Sequence, residues 1–250
     1  YGHFIELNNF QLRTESLPVL PAGSPDFRIL HISDMHMIPG QQKKIDFMHS
    51  LAALEPDLVM NTGDNLSHVD GMGPLLEALD PLMDFPGVFV PGSNCYFAPV
   101  FKNPARYLWQ PRTPQMIEEG SRVALPIERM HEAFESRGWT GLVNRYDTLN
   151  LKGLRLEFSG VDDPHLRYDE HPGFAPGAFD EGQEPSVRIG VAHAPYMRTL
   201  YRFVQDGAQA IFAGHTHGGQ VCLPGGHALV SNCDLPPSRA KGVSKQSGIP

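Results

Sequence analysis

Cysteine is scarce. The chain has 250 residues and three cysteines, Cys95, Cys222 and Cys233, too few and too widely spaced for a disulfide framework or a zinc knuckle. One pair could bridge in an exported protein, so the set leaves the redox compartment open. No apolar run is long enough to span a bilayer, and no signal peptide is visible. The chain opens on Tyr1 rather than Met, which carries the expectation of an upstream segment able to hold an anchor or a targeting signal. Residence is therefore expected at a membrane through that segment, or otherwise in the cytoplasm.

Basic charge is also short. Lys and Arg number 20 against 28 Asp and Glu, for a formal net charge of -8. A general binder of nucleic-acid backbone would show a basic face or stripe, so no nucleic-acid duplex is expected as a partner. A phosphorylated small molecule is compatible with this balance, because bound cations add positive charge that the count omits. Neither a phosphate-cradling GxxxxGK[ST] loop nor a dinucleotide-binding glycine fingerprint occurs. Internal repeats are absent too.

What is present is a hydrophobic content of 41% with Gly 25 and Pro 23, the makeup of a loop-rich single domain over residues 1–250. The segment 4–13 alternates as an edge strand or hairpin would. Strands are predicted at 27–33, 58–62 and 87–90, with helices near 41–54 and 74–83 between them, an order that implies βαβ units. An irregular insertion follows near 97–122, then a helix near 126–137 with Pro126 in its first turn. Short strands near 141–149 and 154–159 predict a second sheet. The run 162–185 reads as loop, and strands at 187–192 and 210–213 flank a helix. The stretch 238–250 is polar and reads as loose.

Five strand ends carry polar residues: Asp34-Met35-His36, Gly63-Asp64-Asn65, Gly92-Ser93-Asn94, His193, and Gly214-His215-Thr216-His217. One Asp or His after a strand is ordinarily a cap or a solvated side chain; five such ends can converge on one point. Asp34 and His36 are two apart and point to one side in an extended chain, as do His215 and His217. Oxygen and imidazole donors suit first-row divalent metals, and the lack of a thiolate cluster argues against structural zinc. A carboxylate such as Asp64 can bridge two ions roughly 3.5 to 4 Å apart.

The strings HISDMH, NTGDN, PGSNCYF, VAHAP and AGHTHGGQ make the region 27–234 resemble the calcineurin-like metallophosphoesterases, in particular the bacterial YkuE-type membrane-associated branch. That resemblance implies an α/β fold, a four-layer α/β/β/α sandwich, and two divalent or mixed-valence ions, Mn, Fe or Zn. By motif, Asp34, His36 and His217 would bind the first metal, Asp64 would bridge, and His193 and His215 would bind the second. The activity implied is hydrolysis of a phosphoester or pyrophosphate by a metal-bound hydroxide, on a small-molecule or lipid-linked substrate, with peripheral membrane association. The family's sequence usually runs on into further strands, so segments missing at either end are expected.

The third strand end departs from the family, which reads Gly-Asn-His-Asp or Gly-Asn-His-Glu where this chain has Gly92-Ser93-Asn94-Cys95. A gap-free match puts Ser93 on the metal-binding Asn; Asn94 is the better ligand and is expected to swing in. Either way the histidine that assists the leaving group is gone, and Asn donates no proton as a general acid. The catalytic set is then Asp64, Asn94 and His165, with His165 as first candidate for the missing role and His68 as another. Without a replacement, the alternative is a metal- and phosphate-binding protein of weak or no turnover. Asn65, Asn94, Arg106 and His165 are expected to touch substrate. Cys95 has no local His-Asp partner for nucleophilic work, and His31 is expected to pack behind the ligands or in the core.

Overall fold

Alternation along the strands decides how the layers stack. The computed structural model describes residues 9–99, 122–176, 186–219, 221–223 and 227–250 of the chain. Strands β1 (Ile29–Ile32), β2 (Leu58–Asn61), β3 (Gly87–Phe89) and β4 (Thr140–Gly141) form one parallel sheet in that order. Strands β5 (Arg145–Leu151), β6 (Leu154–Gly160), β7 (Ser186–Val191) and β8 (Ala210–Phe212) form a second, antiparallel between β5 and β6 and parallel thereafter. Side chains of period two send Leu58, Met60 and Val88 of the first sheet against Leu156, Phe158, Ile189 and Val191 of the second. The opposite face of the first sheet, with Leu30, Ile32, Val59 and Phe89, packs on helices α1 (Gln42–Ser50), α2 (Met72–Leu79) and α4 (Ile127–Ser136). The one-turn α3 (Ser93–Tyr96) follows β3.

Helix α5 (Met197–Gln205) covers the outer face of the second sheet through Phe203, which clusters with Val161, Ala192 and Ala208. Gly190 makes that approach possible, since a Cβ there would lie 2.6 Å from the Phe203 ring. Helices, sheet, sheet and helix make the expected α/β/β/α sandwich. A separate antiparallel pair, β9 (Val221–Leu223) and β10 (His227–Val230), lies after β8. Because β1 to β3 run parallel, as do β7 and β8, the loops at their C-terminal ends gather along one edge, where ligands of open α/β sheets collect. Among the described residues no helix is long and apolar enough to cross a membrane.

Three expectations need correction. Residues 9–13 form no strand; Phe10 instead stacks on Phe47 of α1 at 5.2 Å, so its apolar side chain packs on a helix. The strand expected over 141–149 is two strands, because the chain crosses from the first sheet to the second around Asn144, whose φ is 50°. The tail 238–250 is not loose: Ile211 N donates to Pro250 O at 3.0 Å, and Arg239 bonds Gln246 at 2.7 Å. Of the insertion near 97–122, residues 100–121 lie outside the described residues, and Arg106 with them.

Candidate metal centre

The loops at the sheet edge are first bound to one another. Asp34 N donates to Gly63 O at 2.9 Å, His36 N to Asp64 O at 2.9 Å and Met37 N to Asn65 O at 2.8 Å, so the first two motifs run side by side. The third arrives at Gly92, where a Cβ would collide with Asp64 Oδ1 and come within 2.6 Å of the His193 ring. Gly214 approaches equally closely, for a Cβ there would lie 2.6 Å from Asp34 Oδ2. Glycine is required at both positions by contact distance alone.

Two donor groups result, each with its ligand atoms within 4.8 Å of one another: Asp34, His36, Asp64 and His217, and Asp64, His193 and His215. In the first, His36 Nε2 lies 3.3 Å from His217 Nε2 and 3.8 Å from Asp64 Oδ2, while His217 Nε2 lies 3.3 Å from Asp34 Oδ1. In the second, His193 Nε2 lies 3.2 Å from Asp64 Oδ2 and 3.2 Å from His215 Nδ1. Asp64 belongs to both and is 3% exposed, so its carboxylate is out of water between two sets of imidazoles.

The surroundings aim these atoms. His193 Nδ1 meets Thr62 O at 2.7 Å and His36 Nδ1 meets Ser67 Oγ at 2.9 Å, which leaves Nε2 of each ring toward the cluster. Asp34 accepts from Ser33 Oγ at 2.6 Å and His215 N at 2.9 Å. The convergence of Asp34 with His36, and of His215 with His217, does not come from extended chain as the spacing suggested. Asp34, His36, Asp64, His215 and His217 all have positive φ, between 45° and 69°. Such left-handed residues cost on the order of 1–3 kcal/mol each and concentrate where function demands them.

The residues fit a pair of divalent cations. The donors are carboxylate and imidazole, the set that suits first-row divalent metals. Asp64, His193 and His215 are moreover all buried, an assembly of ionisable groups out of water that a bound cation would compensate. Electrostatics agree. Burial opposes ionisation of Asp64, but the adjacent His193 and the charges of His36 and His215 outweigh it and hold the carboxyl well below its usual range. Burial likewise opposes a charged His193, and Asp64 overcomes it, raising the imidazole to about 10. Burial first, then the charge of His193, pushes His215 well below its ordinary value.

The other expected residues divide. Asn94 reaches the centre: its N donates to Asp64 Oδ1 at 2.7 Å, and its Nδ2 lies 3.2 Å from Asp64 Oδ2 and 3.3 Å from His36 Nδ1. His165 also arrives, its ring centroid 4.8 Å from that of His215 and its Nδ1 3.0 Å from Tyr196 Oη. Asn65 is a correction. Expected at substrate, it is fully buried and directs Nδ2 to Cys95 Sγ and Met130 Sδ, both at 3.8 Å, on the helix side of the sheet. His31, expected in the core or behind the ligands, stands edge-on to Phe212 and bonds Thr62 Oγ1 at 2.9 Å, the residue whose carbonyl meets His193. His68 pairs with Asp70 at 3.6 Å on an exposed loop. Burial pushes the Cys95 thiol up to about 12, which leaves no thiolate for nucleophilic work. Thr62, Ser67 and Tyr196, which hold the histidines, carried no signal in the sequence because a backbone carbonyl or a single hydroxyl has no characteristic spacing.

Comparison with known proteins agrees with this geometry. The family model described as calcineurin-like phosphoesterase matches residues 27–219, a span that contains both donor groups. The chain is also similar to the uncharacterized protein YpbG of Bacillus subtilis (strain 168), at 26% identity over 213 residues, covering 84% of this chain and 69% of that protein.

Two outcomes are expected of the centre. Gly92→Ala places a methyl against Asp64 and His193 and should weaken Mn²⁺ binding by about tenfold or more, the cost of overpacking a tight site, with circular dichroism unchanged. Unaltered affinity in a titration of that variant would contradict the packing. In the metal-free protein His193 is held protonated up to about 10, so a cation must displace that proton near neutral pH, whereas Asp64 has none to lose. Mn²⁺ binding should therefore release about one proton and tighten as pH rises toward that value. Calorimetry in buffers of differing ionisation enthalpy reads this directly, and identical heats would refute it.

Proposed function

We propose, from the premise that the chain belongs to the calcineurin-like phosphoesterase family, that it hydrolyses a phosphoester or pyrophosphate bond at two divalent cations. The observation that carries this reading is the pair of donor groups sharing Asp64. Asp34, His36 and His217 would hold one ion, His193 and His215 the other, and Asp64 both. When bound, such a pair neutralises charge developing on phosphoryl oxygens and lowers the pKa of water. The chain's own residues do the rest. Asn94, hydrogen-bonded to Asp64, orients the bridging carboxylate or adds its carboxamide as a ligand. His165, beside His215, holds the proton that the leaving oxygen needs, in place of the histidine missing at Gly92-Ser93-Asn94-Cys95.

A cleft of about 1620 Å³ supports an amphipathic substrate. It is lined by Leu17, Leu20, Phe27, Ile29 and Phe212 and reaches Asp34, His36 and His217, so a phosphate at the centre could carry an apolar chain along it. This favours a lipid-linked phosphoester over a compact phosphorylated metabolite, and with it the membrane-associated bacterial branch that the chain's motifs resemble. Peripheral contact is the mode proposed. The absent third-loop histidine favours one other reading, a phosphate-binding protein of little turnover.

A screen of phosphomonoesters, phosphodiesters and nucleotide-linked pyrophosphates with Mn²⁺-reconstituted protein separates the two. Turnover on one class is expected, lost on the order of a thousandfold or more in Asp64→Ala. Two bound ions with no turnover on any class would support the binding protein instead.

A further inference from the structure

The polar tail is fastened to the last metal motif, and the residue that follows the fastening is a lysine. Thr216, between His215 and His217, donates its hydroxyl to Ala240 O at 2.8 Å, and Ala240 is buried. Arg239 Nη1 bonds Gln246 Oε1 at 2.7 Å and closes the segment on itself. Lys241 leaves Ala240 with its stem along Gly218, the residue after His217. A Cβ at Gly218 would lie 3.5 Å from Lys241 Cδ and 3.9 Å from Lys241 Cβ and Cγ. The stem therefore lies against bare backbone while the ammonium stays in water.

Lys241 is exposed and lines the cleft that reaches Asp34, His36 and His217. Among the described residues no carboxylate pairs with its ammonium. Neighbouring cations of the cleft are engaged: Lys152 pairs with Asp57 at 3.1 Å, Arg239 bonds Gln246, and Lys44 Nζ meets Met35 O at 2.6 Å. In a chain of net charge -8, a lysine pinned beside the donor groups without an acid of its own suits an anion that arrives with the substrate.

We infer that Lys241 is a specificity-determining residue: its ammonium receives a second phosphate, joined to the one at the metal centre, so that the substrate is a lipid pyrophosphate rather than a lipid phosphomonoester. The inference rests on the phosphoesterase reading above and narrows its substrate class. A lysine fits the task as a compact point charge on a flexible stem, able to follow a phosphate that shifts as it departs. In the balance of the reaction, water forms the new bond to the phosphorus at the centre and gives a proton to the medium. The bond from that phosphorus to the bridging oxygen breaks, and the lipid phosphate leaves with the electron pair as the anion that Lys241 faces. A phosphate needs less protonation on leaving than an alkoxide, which agrees with the missing third-loop histidine.

The test uses matched isoprenyl probes with the Mn²⁺-saturated full chain. Hydrolysis of farnesyl pyrophosphate is compared with that of farnesyl phosphate, and calorimetric binding of farnesyl methylenediphosphonate with that of farnesyl phosphonate. Lys241→Met keeps the stem and is expected to lose roughly tenfold in kcat/KM on the pyrophosphate and in affinity for the diphosphonate, the share of one charge-assisted hydrogen bond. Its loss on the single-phosphorus partners should be less than about twofold. Lys241→Arg should recover most of the difference, and Lys245→Met, an equal change of charge outside the cleft, should leave it intact. Equal losses on both members of a pair, or the same selective loss in Lys245→Met, would overturn the role of Lys241. If no probe is hydrolysed while Lys241→Met weakens the diphosphonate alone, the phosphoesterase reading falls and the second phosphate site stands.

Discussion

A carboxylate withdrawn from water beside two sets of imidazoles is the constraint on which the rest depends. Asp64 is 3% exposed and lies within ligand distance of both donor groups. An isolated buried carboxylate would be costly to keep ionised, and this one stays ionised only because His193, His36 and His215 surround it. Those histidines come from strand ends 28 to 151 residues away in sequence, which a folded sandwich brings together. The sheets must therefore be stiff and their C-terminal edges aligned before the charge is supportable. The core between them, with Phe158 and Leu58 fully buried, supplies that stiffness.

The same economy governs the loops. Gly92 and Gly214 permit approaches that any side chain would block, and five of the proposed ligands adopt left-handed backbone. Strain of this sort persists only where surrounding structure imposes it. Here the imposition is visible in the ladder from Asp34, His36 and Met37 to Gly63, Asp64 and Asn65. On the far side Asn232 Nδ2 holds His215 O at 2.8 Å and Thr216 Oγ1 bonds Ala240 O at 2.8 Å, so the segment after β10 braces the last motif.

Most of the frame was legible because buried parallel strands are short apolar runs that stop at polar residues, as Leu58-Val59-Met60-Asn61 does before Gly63-Asp64. Where tertiary contact overrode local pattern, the reading failed. Phe10 alternates like a strand residue yet packs on Phe47, and the polar tail is fixed by Arg239 and Pro250 through bonds that composition does not reveal. At the site, the residues that bear charge were legible and their orientation was not. Asn65 follows Asp64 in sequence, but the turn at Asp64 sends it to the opposite side of the sheet, toward Met130. The nearness of His165 to His215 depends on the fold of the loop after β6, for which Asp162-Asp163-Pro164-His165 gives only a hint.

The central claim is that one carboxylate serves two cations. Anomalous diffraction from crystals soaked in Mn²⁺ tests it most directly. Two peaks roughly 3.5 to 4 Å apart with Asp64 in contact with both are expected. A single peak, or two peaks of which only one touches Asp64, would contradict the account.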